Sequence, residues 1–204
     1  MKPLMVGIAG GTCSGKTTLA ASLALALPET SISSIQFDSY YRPIGHLSLE
    51  ERSEVNFDHL DSLDIELFAR HLALLREGEG VPVPVYDFTS HTRTSRVSRV
   101  EPEQVVIVEG ILLLAEPLLV DYLDLKVFLD VDADIRLARR VIRDMSERGR
   151  SAQSVIEQYL KSVRPMHELL VEPSREQADL VVYRGGLDPE AIGAVSQRLR
   201  ELLV

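Results

Sequence analysis

The chain has a single cysteine, Cys13, so it can form neither an internal disulfide nor a cysteine-based metal cluster. That scarcity fits a reducing compartment, and cytoplasmic residence is the expectation. It has one asparagine, Asn56, which removes the Asn-Lys-x-Asp element by which guanine-specific GTPases usually read their base. Basic charge is also short. Lys and Arg number 22 against 31 Asp and Glu, a formal net charge of −9, so the chain as a whole carries no electrostatic footprint for nucleic acid. No apolar run is long enough to span a bilayer, since Glu109, Glu116 and Pro117 interrupt the best stretch, 105–120. Residues 19–27 imitate a signal-peptide core, but a strand-like, glycine-rich segment precedes them rather than a basic leader, so neither secretion nor a membrane partner is expected. Tryptophan is absent. What remains, 45% apolar and 26% charged residues over 204 positions, is the make-up of an ordinary globular domain, expected to be one unit over 1–204.

Short apolar runs alternate with helical patterns. Residues 4–9 read as a strand buried on both faces, 105–108 and 126–130 as two more buried strands, and 33–37 and 179–183 as further strands. Helices are expected over 16–27 (stopped by Pro28), from a cap at Ser62 to near Gly78, over 134–148, after Gly149 with a bend or break near Pro165, and from Asp188-Pro189-Glu190 onward. The stretch between Asp38 and Ser62 reads as a loop of about twenty residues, a length that is often functional. Residues 81–86 and 96–100 alternate, with a turn-rich 87–95 between them, and the prolines at 82 and 84 mark an edge strand of a β-hairpin. The expected fold is therefore α/β: a parallel sheet with helices on both faces, of the P-loop NTPase type, plus a hairpin excursion over 81–100 and a helical lid over 134–171. Ligands of such folds bind at the carboxyl ends of the strands.

Gly10-Gly11-Thr12-Cys13-Ser14-Gly15-Lys16-Thr17 satisfies G-x-x-x-x-G-K-[ST] between a strand and a helix, and Thr18 follows it. Glycines let backbone N–H groups converge on phosphate oxygens, and the helix N-terminus adds partial positive charge. Lys16 reaches the β- and γ-phosphates, and Thr17 supplies a hydroxyl to Mg²⁺. Cys13 reads as a small residue of the loop. With GTPase chemistry removed and the chain short for a motor, a small-molecule kinase remains.

The strand ending in Glu109 suits an acid that holds Mg²⁺ directly or through water. Asp38 also ends a strand, beside Tyr40 and Tyr41. It is the candidate general base for an alcohol acceptor, and a purely Mg²⁺-linked role is the alternative. Six arginines, at 136, 139, 140, 143, 148 and 150, fall within fifteen positions of an otherwise acidic chain. Arg136, Arg140 and Arg143 share one helical face by spacing. A phosphate-clamping lid is the expectation, a solvated basic helix the alternative.

These elements, in this order, resemble the uridine-cytidine kinases, within the wider family that includes phosphoribulokinase and bacterial pantothenate kinase. The resemblance rests on 10–17, 38–42, Asn56-Phe57-Asp58-His59, Val85-Tyr86-Asp87-Phe88 with His91 and Arg93, Glu109-Gly110, and 132–150 followed by Gln158-Tyr159. It implies transfer of the γ-phosphate of ATP (or GTP) to the 5′-hydroxyl of uridine or cytidine. In that scheme Asp38 is the base, assisted by Lys16 and by the lid arginines Arg143 and Arg148. Asp58 accepts the ribose hydroxyls. Tyr41, Tyr86, Phe88 and His91 lie on one side of the nucleoside, with Arg140, Arg150 and Gln158 on the other. Thr17 and Glu109 form the Mg²⁺ environment. The resemblance also implies a homo-oligomer, a tetramer in many members. Two departures stand out: Leu60 replaces the proline usual after Asp58-His59, and Tyr183–Asp188 matches the adenine-bordering stretch only loosely, which leaves adenine contacts unassigned. The rival readings are a kinase for another small alcohol, which would not need the Tyr86/His91 hairpin, and a nucleotide-binding regulatory module without phosphoryl transfer.

Overall fold

The structure is a computed structural model and describes residues 2–203; Met1 and Val204, the ends of the expected 1–204 unit, lie outside the described residues. Seven strands form: β1 (Leu4–Ala9), β2 (Ile32–Gln36), β3 (Val81–Asp87), β4 (Thr92–Val100), β5 (Val105–Glu109), β6 (Leu125–Asp130) and β7 (Leu180–Tyr183). Five of them make one parallel sheet in the order β2-β5-β1-β6-β7, with β1 at its centre. The apolar runs explain this arrangement. Successive residues of β1 point to opposite faces, and both faces are buried. Met5 joins a core with Phe37, Phe68, Leu72 and Phe128, whereas Val6 and Ile8 join Leu19, Leu23, Val195 and Leu199 on the other side.

The helices are α1 (Lys16–Ala26), α2 (Leu49–Ser53), α3 (Ile65–Arg76), α4 (Pro117–Val120), α5 (Ala133–Glu147), α6 (Ala152–Gln158), α7 (Arg164–Met166), α8 (Glu172–Ser174) and α9 (Pro189–Leu203). Asp188 caps α9, accepting from the N–H groups of Glu190 and Ala191 at 3.0 and 3.2 Å.

The structure departs from the sequence expectations at several places. The chain between Asp38 and Ser62 is not a plain loop. Asp38 sits two residues beyond β2, in a 3-10 turn over Phe37–Tyr40, and the segment also contains α2, opened by a capping box in which Ser48 and Glu51 bond reciprocally. The cap of α3 is Asp64, accepting from Leu67 N–H at 3.2 Å, while the Ser62 hydroxyl donates back to the His59 carbonyl at 2.6 Å. The hairpin turn is shorter than expected because β4 begins at Thr92, pairing Asp87 with Thr92 and Tyr86 with Arg93. Nor does the helical run break at Pro165. It continues from 152 to 174, with a wide π-turn on each side of α7 (Tyr159–Val163 and His167–Val171) that accommodates the missing proline N–H.

The segment after β7 is pressed against the start of α1. A Cβ on Gly186 would lie 2.2 Å from the Gly15 carbonyl oxygen and 2.4 Å from Leu19 N, both backbone atoms that cannot yield easily. Gly186→Ala is therefore expected to cost about 1–3 kcal/mol of stability by overpacking, read as a lowered urea midpoint with an unchanged slope; an unchanged midpoint would show that the two segments separate freely.

Candidate active site

The loop from Gly10 to Gly15 leaves β1 and enters α1 with Gly15 in a left-handed conformation, φ +100°. No side chain caps α1, so its first N–H groups face the cleft unclaimed by a side chain, the arrangement that receives an anion. The Lys16 ammonium is buried and donates to the Gly10 and Gly11 carbonyls, both at 3.1 Å. Burial lowers its pKa, and the charges of Glu109 and Asp38 oppose that shift.

At the adjacent strand end, the Thr17 hydroxyl donates to Glu109 Oε1 at 2.6 Å, and Gln36 Nε2 donates to the same oxygen at 3.1 Å. Burial pushes the Glu109 carboxyl up, with Lys16 pulling the other way. One hydroxyl and one carboxylate beside a phosphate loop form the hard-oxygen donor set that Mg²⁺ takes, its remaining positions left to phosphates and water. Among the described residues no group of three or more His, Cys, Asp or Glu side chains forms a metal cage. Thr17 and Glu109 therefore fit a nucleotide-borne cation.

Two clefts meet here. The larger, about 580 Å³, runs from Cys13, Lys16 and Thr18 past Asp38 and Glu109 to Arg139, Arg184 and Leu187. The smaller is lined by Tyr41, Asp58, Tyr86, His91, Arg140, Arg150 and Gln158, the whole set expected around a nucleoside. Thr12, Asp38, Phe88, Ile111, Arg143 and Arg148 belong to both. Asp38 thus stands on the shared wall. Gly10, Gly11 and Ser14 are buried in the loop and shape it without lining either cleft.

The hairpin brings its residues in as a group. Arg93 of β4 donates to the Tyr40 carbonyl at 2.6 Å and to Asp64 Oδ2 at 3.3 Å, tying the hairpin to the turn that holds Asp38. Tyr41 contacts Tyr86 (5.1 Å between ring centroids) and Phe57 (5.2 Å), and Phe57 stacks on His91 at 5.8 Å and 20°. Burial, followed by the charges of Arg150 and Arg148, lowers the pKa of His91, so its ring is neutral at pH 7. Asp58, 8% exposed, takes a hydrogen bond from the Ser162 hydroxyl at 3.3 Å. Burial raises its pKa, and Arg140 offsets part of that rise. The turn that follows, where Leu60 replaces proline, is closed by the bond from Ser62 N–H to the His59 carbonyl at 3.1 Å.

Across the clefts, the arginines of α5 and its exit converge on Asp144, which is completely buried. Its Oδ1 accepts from Arg143 Nε at 2.9 Å and Nη2 at 2.8 Å, with Arg148 Nε at 3.6 Å. Arg140 Nε and Arg150 Nη1 face Oδ2 at 3.6 and 3.9 Å. Arg140 also donates to the Thr12 hydroxyl at 2.8 Å and to Gln158 Oε1 at 2.9 Å, so one guanidinium joins the phosphate loop to the nucleoside side. Arg148 lies over the Phe88 ring at 4.2 Å, linking lid to hairpin. Arg136 is the exception to the expected lid face. It points the other way, beneath the loop, and lines neither cleft.

The sequence reading passed over Asp144, Phe57, Gln36 and Ser162 as site residues. Only Asp144 carried a signal: it lies four residues from both Arg140 and Arg148, the spacing at which helical charges pair. Asp144→Ala, which strands four arginines without their carboxylate, is expected to cost about 3–5 kcal/mol of folding stability, read from the denaturation midpoint; a loss below 1 kcal/mol would mean that solvent already neutralises the cluster.

Residues 5–188 match the Phosphoribulokinase / Uridine kinase family. The uridine kinase of Oceanobacillus iheyensis is 45% identical over 202 residues, 99% of this chain and 96% of its own length. That of Halalkalibacterium halodurans is 46% identical over the same shares. Among solved structures, the phosphoribulokinase of Rhodobacter spheroides superposes with a TM-score of 0.66 at 14% identity, covering 92% of this chain and 74% of that one. D-glycerate 3-kinase from Cryptococcus neoformans gives 0.67 at 16%, covering 89% and 86%, and both bear on the fold alone. With the fold, the phosphate loop and near-full-length relatives in agreement, the chain belongs to the phosphoribulokinase/uridine kinase family, within its uridine kinase branch.

Proposed function

We propose that the protein transfers the γ-phosphate of ATP (or GTP) to the 5′-hydroxyl of uridine and cytidine, yielding UMP and CMP for pyrimidine salvage. The observation that carries this reading is the position of Asp38 on the wall common to the phosphate cleft and the aromatic cleft. A donor phosphate and an acceptor alcohol held in the two clefts meet beside that carboxylate. Asp38 takes the proton from the attacking hydroxyl. Lys16, Arg143 and Arg148 surround the cleft with positive charge and stabilise the negative charge on the transferring group. Thr17 and Glu109 would hold Mg²⁺, which would supply further charge neutralisation.

In the second cleft Asp58 accepts both ribose hydroxyls, which a deoxynucleoside cannot fully satisfy. The base lies among Tyr86, His91 and Phe88, with Arg150 and Gln158 opposite. A neutral His91 ring carries one donor and one acceptor nitrogen, and so serves the carbonyl of uracil or the amine of cytosine. Arg139, Arg184 and Leu187 line the donor cleft away from Asp38 and leave room there for the donor's base. A single domain over 1–204, residence in the cytoplasm and assembly as a homotetramer complete the proposal. No helix among the described residues is long and apolar enough to cross a membrane.

ADP release with uridine, cytidine, deoxycytidine and pantothenate tests the whole reading. Wild-type protein is expected to turn over the two ribonucleosides and to lose about 1–3 kcal/mol of kcat/KM with deoxycytidine. Asp38→Asn is expected to lose ~10²–10⁴-fold in kcat; full turnover by that variant would remove Asp38 from the chemistry. His91 occupies a left-handed backbone position (φ +51°) that asparagine tolerates. His91→Asn is therefore expected to fold and to shift the uridine-to-cytidine ratio of kcat/KM, and an unchanged ratio would mean that another group reads the base.

A further inference from the structure

The arginine that leaves the lid face carries a role of its own. Arg136 lies near the start of α5 with 4% of its surface exposed. Its Nε donates to the Val131 carbonyl at 2.9 Å, Nη2 faces His167 Nε2 at 3.2 Å, and Nη1 has no partner. Arg140, Arg143, Arg148 and Arg150 share Asp144, but Arg136 pairs with no carboxylate among the described residues. Glu172, beyond His167, is engaged by His167 at 3.4 Å and by Arg175 at 3.7 Å. The His167 ring, which is neutral or cationic, is no counter-charge either; burial and then the Arg136 charge lower its pKa, which suits a ring accepting from Nη2.

A buried guanidinium without a counter-ion is costly to keep in a folded protein. Its surroundings indicate where the missing negative charge comes from. A Cβ on Gly11 would fall 2.4 Å from Arg136 Nη1 and 2.6 Å from Cζ, so the guanidinium sits directly against the phosphate loop from behind. The Lys16 ammonium rests on the Gly10 and Gly11 carbonyls of that same loop. Gly11 is therefore flanked by two buried cations, and its lack of a side chain is what lets the second approach.

We propose that Arg136 is a counter-charge for the nucleotide's polyphosphate, acting through the Gly11 segment without touching the ligand, and that its buried charge is neutralised only when the nucleotide is bound. This rests on the kinase reading above and adds a residue to the donor subsite alone. In a site shielded from water such a charge acts across a single layer of backbone with little screening. Its hydrogen bond to Val131, just past β6, also fixes the guanidinium against the loop, so the charge needs no reorganisation when phosphate arrives.

The test compares wild type with Arg136→Gln, which keeps a donor for the Val131 carbonyl but loses the charge, and Arg136→Lys, which keeps the charge. Folding is checked by far-UV circular dichroism. Thermal unfolding and direct binding are then measured with MgADP and, separately, with uridine. The expected result for Arg136→Gln is MgADP binding weaker by about tenfold, with the ADP-induced rise in Tm cut by half or more and uridine binding within twofold of wild type. Arg136→Lys should stay within about threefold of wild type for MgADP. Equal ADP responses in wild type and Arg136→Gln would overturn the proposal, as would a lysine variant no better than the glutamine one. If Arg136→Gln does not fold, Arg136→Lys decides alone, and a loss beyond threefold in MgADP affinity overturns it. A wild-type protein that MgADP does not stabilise at all refutes the kinase reading itself, which separates the two failures.

Discussion

One carboxylate holding four arginines is the interaction on which the rest of this site depends. Arg140, Arg143, Arg148 and Arg150 bring like charges within a few ångströms of one another, and in a partly buried setting they would repel and scatter. Asp144, fully buried at their centre, reverses the balance. It does so incompletely, because one negative charge against four positive ones leaves a strong surplus facing the clefts. The cluster is thus both ordered and still electrophilic. Its order extends outward through Arg140 to Thr12 of the phosphate loop, through Arg150 and Arg140 to Gln158, and through Arg148 to Phe88 of the hairpin. A positive charge confined in this way can meet an anion without the collapse of flexible side chains.

The sheet supplies the other half of the geometry. Parallel strands deliver their carboxyl ends to one edge, so the loop after β1, the turn after β2 and the end of β5 lie side by side although they are far apart in sequence. The hairpin is not part of that sheet and needs its own anchor. Arg93 provides it by binding the backbone of the Asp38 turn and the cap of α3 together. The aromatic cleft is therefore referenced to the same turn as Asp38, so one piece of backbone holds the hairpin and that carboxylate in register.

What could be read from the sequence was what is local. The phosphate loop is a contiguous pattern whose strand and helix flanks declare themselves by periodicity. Strands β1, β5 and β6 are largely apolar runs, and the α9 cap is three adjacent residues. What could not be read was set by distance or by direction. Ser162 meets Asp58 across 104 positions and Gln36 meets Glu109 across 73, contacts that no spacing rule reveals. Arg136 shows the limit of helical-face reasoning: i, i+4, i+7 spacing placed it with Arg140 and Arg143, but a long side chain can turn back toward the start of its helix. Ser62 and Asp64 are both good capping residues two positions apart, and the choice went to the one whose second oxygen also receives Arg93. The capping box at Ser48 and Glu51 was legible in principle, since the two stand three apart ahead of a short helix.

Tryptophan is missing from the chain, and three of its six tyrosines, Tyr40, Tyr41 and Tyr86, crowd the acceptor cleft or the turn beside it. Tyr41 and Tyr86 lie in ring contact with each other. Ultraviolet emission from this protein is consequently tyrosine emission, with three of the six emitters in or beside one cleft. A ligand entering that cleft would be read against tyrosine emission alone, with no indole background to subtract.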